Sequence, residues 1–249
     1  MRAKYLLVAV AALVLGFVVS AAVGFLLSDY VFRHADVPEA NEYAGVVELN
    51  VPVAEIQARS TAGEVVVPIK GKVNIVLPQY VHCPDICHWE TSILAYVLEK
   101  LIEEGLQDEV VIVTLGVNPY YETLEDAQNY LQARVGKMME KGVTWIWVQD
   151  DLEVMKKLWK EYRFAVKPYC VKEDGNVVDL PVDLTKEEVE KYRRECEFLG
   201  ITHTGGFAII DKKGIYRYFI APTSEGWVEG QQGVAEVIYS KVKALIEEG

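Results

Sequence analysis

An apolar run, a loop with two cysteines and a helical repeat come one after another between Lys72 and Glu104. Lys72-Val73-Asn74-Ile75-Val76-Leu77 has the length and β-branched content of a buried strand. Pro78-Gln79-Tyr80 leads from it into Val81-His82-Cys83-Pro84-Asp85-Ile86-Cys87-His88. From Ile86 to Glu104, the residues Ile93, Leu94, Val97, Leu98 and Leu101 recur at helical spacing, and Gly105 ends the repeat. Proline is accepted in the first turn of a helix, where its missing N–H would be unpaired in any case. Pro84 therefore puts Cys83 at or near the N-cap and Cys87 one turn further on, on the same face. Two sulfurs so placed can address one ligand, or each other. Unpaired N–H groups and the positive end of the helix dipole favour thiolate over thiol. The expected chemistry is redox exchange, soft-metal binding, or both.

The segments downstream of the loop set the fold class. Val110–Leu115 and Val143–Val148 read as strands, Thr123–Met139 and Leu152–Tyr162 as helices. Gly206–Asp211 and Ile215–Phe219 flank Lys212-Lys213-Gly214 as a hairpin, and Gly233–Glu248 is a terminal amphipathic helix. Upstream, Val46–Leu49 and Glu64–Ile69 are short strands, with Thr61-Ala62-Gly63 as a turn. The order implies an α/β fold whose central mixed sheet has parallel strands, an antiparallel edge and flanking helices. An insertion at about 170–200 interrupts it. There Thr185-Lys186-Glu187-Glu188 has capping-box spacing, and Val189, Tyr192, Cys196 and Leu199 recur on one helical face. Cys170 and Cys196 flank the insertion. A structural disulfide between them would close a loop of about 27 residues and contribute on the order of 3 kcal/mol.

The chain divides into three parts. Tyr5–Leu27 is uncharged and apolar, and as a helix it would span about 34 Å against a hydrocarbon core of about 30 Å. Arg2 and Lys4 precede it, which keeps the N-terminus inside. A cleaved signal peptide would normally have a shorter apolar core. Residues 1–27 are thus expected to be a signal anchor and transmembrane helix, 28–44 a tether carrying His34, and 45–249 the globular domain. That makes a single-pass cell-membrane protein with an extracytoplasmic domain, where disulfides persist. The 37 acidic residues outnumber 25 basic ones, for a net charge of −12. With no basic patch, a nucleic-acid partner is excluded.

A strand, a two-cysteine loop and a helix form the thioredoxin-like arrangement. Cys83-Pro84-Asp85-Ile86-Cys87 at that junction resembles the SCO/SenC family of membrane-anchored copper proteins that serve cytochrome c oxidase assembly. Leu115-Gly116-Val117-Asn118-Pro119 with Glu122-Thr123 resembles the family's strand ending in Asp-Pro and its acidic-Thr helix start. Thr202-His203-Thr204 resembles its Asp-His-Ser/Thr segment. The resemblance implies a thioredoxin-like fold in which Cys83, Cys87 and His203 ligate copper. Two thiolates and an imidazole suit Cu(I), which is soft and accepts low coordination, before Cu(II). Structural zinc normally wants a fourth ligand.

The implied function is a copper metallochaperone delivering to the binuclear copper site of the oxidase. The alternative is a thiol–disulfide oxidoreductase that uses Cys83 and Cys87 to reduce the oxidase's copper-ligating cysteines. The partners are then the copper-site subunit of a respiratory oxidase and other thiol-redox or copper-carrier proteins. Three residues depart from the family pattern. His88 replaces a proline after the second cysteine, Asn118 replaces an aspartate, and Thr202 replaces an acid before the histidine. His82 is expected to pack the loop, His88 to lie at the surface, and Trp145, Trp147 and Trp159 to fill the core.

Overall fold

The computed structural model describes residues 42–84 and 86–249. The apolar run read as an anchor, most of the tether with His34, and Asp85 lie outside the described residues. Among the described residues no helix is long and apolar enough to cross a membrane. Strands β1 (Ala44–Pro52), β2 (Ile56–Ser60), β3 (Gly63–Val67) and β4 (Val73–Gln79) precede helix α1 (Cys87–Glu103). Then β5 (Val110–Gly116), α2 (Leu124–Met139), β6 (Thr144–Val148) and α3 (Leu152–Glu161) alternate. Next come β7 (Val166–Val171), β8 (Val177–Asp179), α4 (Lys186–Glu195) and β9 (Phe198–His203). The chain closes with β10 (Phe207–Ile210), β11 (Ile215–Pro222), α5 (Ser224–Val228) and α6 (Gln231–Glu247).

The main sheet runs β1-β11-β10-β4-β5-β6-β2-β3. Its centre is the parallel trio β4, β5 and β6, and the strands outside that trio pair antiparallel. Period-2 alternation explains how the trio is covered on both faces. Ile75, Ile112 and Trp145 stand in register and face the layer of α1, α2 and α6. Their neighbours Val76, Val113 and Ile146 face α3 through Met155, Leu158 and Trp159. Burying each such side chain is worth about 1.5–3 kcal/mol. Trp145, Trp147 and Trp159 are core residues. Two of them satisfy their indole N–H groups, Trp145 on Thr114 Oγ1 (2.9 Å) and Trp159 on the Gly116 carbonyl (3.1 Å). This is the thioredoxin-like α/β arrangement implied by the sequence.

Three local expectations are corrected. Ile56–Ser60 is a strand that joins β3 to the edge of β6. The insertion is not one helix with loops but a second sheet, β8-β7-β9, with α4 packed on it. Thr185 and Glu188 do form the capping box that starts α4. However, the helix ends at Glu195, and Leu199 lies on β9. The reason is at Cys196, which is extended (φ −98°, ψ 139°) and disulfide-bonded to Cys170 on β7.

Cys170, Leu180, Leu184, Val189 and Leu199 form a small core of their own around the bridge. Replacing Cys170 and Cys196 together by serine is expected to cost about 3 kcal/mol, or roughly 6–12 °C in Tm. Thermal unfolding with and without reductant checks this. An unchanged melting curve would contradict it.

Candidate metal centre

The site lies at the carboxyl end of the parallel strands, the usual place for chemistry in α/β sheets. The loop after β4 carries Cys83, and α1 begins with Cys87. Helix α1 starts later than the proline suggested. Ile86 is its N-cap and Cys87 its first residue, so Cys83 sits in a separate turn, its N–H donating to the Tyr80 carbonyl (3.3 Å). That turn is held from α2's side. The Glu122 carboxylate, its side chain 1% exposed, accepts from the N–H groups of Val81 (2.9 Å) and His82 (3.0 Å). The exposed His82 ring also meets it, Nδ1 at 3.0 Å, so His82 fastens the loop.

Burial pushes the Glu122 pKa up, against the opposing pull of these donors. Glu122→Ala leaves the Val81 and His82 donors without their acceptor. It is expected to cost about 2–4 kcal/mol of stability and to weaken copper binding about 10- to 100-fold. Urea melts and copper titration of this variant measure both. A change confined to stability would dissociate loop anchoring from the metal site.

His203 comes from the far end of β9. The second sheet delivers it, through pairing of His203 with Val166 and a hydrogen bond from Thr204 N–H to the Ala165 carbonyl (2.9 Å). Gly206, at φ +130°, makes the turn from β9 into β10, and a Cβ there would lie 2.7 Å from the Ile220 carbonyl. Two tyrosines of the β5–α2 loop hold the insertion in place. Tyr120 donates to the Val182 carbonyl (2.8 Å) and Tyr121 to the Leu199 carbonyl (3.0 Å).

The Cys83 and Cys87 sulfurs and a His203 ring nitrogen all lie within 4.8 Å of one another. Cys87 Sγ is 3.7 Å from His203 Nε2. The other ring nitrogen, Nδ1, is 3.1 Å from the Thr204 carbonyl, which can only accept. Nδ1 therefore carries the proton and Nε2 presents its lone pair to the sulfurs, the tautomer a metal ligand needs. The Tyr80 ring stands edge-on to the imidazole, centroids 6.1 Å apart.

Electrostatics correct one expectation. Cys87 is 1% exposed, and burial, reinforced by contact with Cys83 and by the Glu90 charge, raises its pKa well above that of an ordinary thiol. Desolvation outweighs the helix dipole here, so Cys87 is held as a thiol until a cation replaces its proton. Burial lowers the His203 pKa, but contact with Cys83 and the Glu90 charge outweigh it and the net shift is upward.

Glu90, 0% exposed, is the residue that sequence reasoning missed. One of its oxygens accepts from Gly206 N–H (3.3 Å), and burial raises its pKa to about 8. A signal was present. Glu90, Leu94, Val97 and Leu101 share one helical stripe, so an acid stands in line with core residues. Of the departures, Asn118 is fully buried, Thr202 is exposed, and His88 is half-buried against Trp89 with ring centroids 4.5 Å apart.

Residues 60–179 match the SCO1/SenC family model. No curated protein matches the chain. Among solved structures, copper-bound ScoI from Bradyrhizobium japonicum superposes with a TM-score of 0.52 at 18% identity, over 78% of this chain and 99% of that one. Apo Sco1 from Thermus thermophilus gives 0.57 at 14% identity, over 84% and 99%. BsSco, described as a Sco-family cytochrome c oxidase assembly protein with a disulfide switch, gives 0.52 at 16%, over 82% and 98%. At these identities the structural matches speak for the fold, and the family match together with the Cys–x–x–x–Cys loop speaks for kinship. Over residues 60–179 the chain carries an SCO1/SenC family domain.

Proposed function

We propose that this chain is a copper metallochaperone that binds copper through Cys83, Cys87 and His203 and passes it to the binuclear copper site of a cytochrome c oxidase. The observation that carries this reading is the convergence of two sulfurs and one imidazole nitrogen within 4.8 Å. Two soft thiolates with one nitrogen select Cu(I) over harder cations. Copper-bound ScoI and the oxidase-assembly role given for BsSco point the same way. The anchor expected in residues 1–27 would hold the domain at the outer membrane surface beside the oxidase. Transfer would run by ligand exchange, with thiolates of the acceptor replacing Cys83 and Cys87 one at a time.

A second reading draws on one observation. Cys83 and Cys87 stand close without being bridged to each other, and one cavity is lined by both residues. The same pair could act as a thiol–disulfide oxidoreductase that reduces the oxidase's copper-ligating cysteines, a step for which His203 is dispensable.

Mixing the copper-loaded full chain with the reduced, copper-free copper-site domain of an oxidase tests the first reading, which expects copper to move. Mixing the copper-free chain with the oxidised domain tests the second, which expects thiols to appear there and a Cys83–Cys87 disulfide to form here. Reduction without any copper transfer would overturn the chaperone reading.

A further inference from the structure

A cavity of about 180 Å³ opens beside the two thiols, between the start of α1 and the flank of α2. Cys83, Cys87, Tyr80, His88, Tyr130 and Arg134 line it. Its polarity is unusual for this protein. The chain is strongly acidic, yet this wall carries a guanidinium, an imidazole and two phenols, and among the described residues none that lines it is a carboxylate. Arg134 is exposed and forms no ion pair among the described residues. It rests over the Tyr130 ring, 5.8 Å from the centroid. Tyr130 is in turn fixed by its hydroxyl contact with Thr91 Oγ1 (3.1 Å), on the helix that carries Cys87. A cation so placed has a defined seat in the wall that also holds the two cysteines, and no anionic partner among the described residues.

We propose that this cavity is an anion subsite that seats the carboxylate of a small, carboxylate-bearing disulfide so that its S–S bond meets Cys83. The proposal rests on reading Cys83 and Cys87 as an exchanging dithiol. Arg134 is suited to a carboxylate because its planar fork can donate two hydrogen bonds. His88 adds a ring N–H donor in either tautomer that points one into the cavity. The half-buried Cys83 is the attacking group and the buried Cys87 the resolving one.

The exchange balances. Cys83 gives up its proton to solvent and its sulfur attacks the nearer ligand sulfur. The ligand S–S bond breaks and one thiolate leaves, taking up a proton. Cys87 then loses its proton and attacks the Cys83 sulfur of the mixed disulfide. The second small thiol departs, and a Cys83–Cys87 bond is left. The protein dithiol is oxidised and one disulfide is reduced to two thiols.

The test uses the full chain in mild detergent, reduced and copper-free. Alkylation by iodoacetate and by iodoacetamide, nearly equal in size and different in charge, gives a rate ratio that reports the local field. The ratio is expected to exceed that of free cysteine by about 3- to 10-fold, and to fall toward it in Arg134→Gln. Oxidation by 3,3′-dithiodipropionate relative to the neutral 2-hydroxyethyl disulfide should fall by the same factor, and Arg134→Glu should favour cystamine instead. A wild-type ratio equal to that of free cysteine, equal loss with charged and neutral reagents, or thiols inert to both would each overturn the proposal. Copper titration of the same wild-type sample reports separately on the metal site, so failure of the subsite and failure of the copper reading are distinguishable.

Discussion

Cys83→Ser is expected to take Cu(I) binding by the full chain from about one ion per molecule to none, and Cys87→Ser to do the same. The site offers three donors within 4.8 Å. Removing a sulfur leaves one thiolate and an imidazole, too few soft donors to hold Cu(I) against a competing chelator. Loss of an outer partner of a metal ligand typically costs 10–100-fold in affinity, and loss of a ligand itself must exceed about that range. His203→Ala should weaken binding while leaving the two sulfurs able to retain the ion at high concentration. Titration against a Cu(I) chelator of graded strength separates these outcomes. Stoichiometric, tight binding in the double variant Cys83→Ser/Cys87→Ser would show that the two thiols are not the ligands.

The second large effect is a dependence of stability on pH that begins at Glu90. Its pKa is about 8 in the fold against 4.5 for an ordinary glutamate, chiefly because burial disfavours the carboxylate. The fold therefore binds this proton more tightly than the unfolded chain does. The resulting stability is fully present below about pH 4.5 and is lost as pH rises through about 8. A shift of that size corresponds to on the order of 5 kcal/mol. The upward shift at His203 acts in the same direction.

The metal-free chain should accordingly unfold at lower urea concentration at pH 8.5 than at pH 5. Glu90→Gln keeps the shape, removes the charge and should flatten most of that slope. Urea midpoints for both proteins across this pH range decide the matter, and parallel curves would show that Glu90 is not the source.

Much of this was legible in the chain. The apolar runs of β4, β5 and β6 and the helical periods of α1 and α2 were readable because both faces of the central sheet are covered. Continuous burial leaves an unbroken apolar signature. The three candidate ligands were readable from the motif, and the structure brings them together across 116 residues of sequence between Cys87 and His203. The second sheet was not readable. Its strands are short, β8 is wholly exposed, and β7 holds a proline within Val166-Lys167-Pro168-Tyr169. Cys196 and Leu199 continued a helical period that the disulfide cuts short. The helix start was misplaced because the N–H groups of Val81 and His82 are taken by Glu122, which lies some 40 residues away and which no local pattern links to the loop.

The ligand set of the metal centre can be counted by X-ray absorption on the Cu(I)-loaded full chain. Two sulfur neighbours and one nitrogen are expected, with the nitrogen lost in His203→Ala and one sulfur lost in each single cysteine variant that can still be loaded at high copper. A first shell of nitrogen and oxygen alone, or one unchanged by His203→Ala, would contradict copper binding by Cys83, Cys87 and His203.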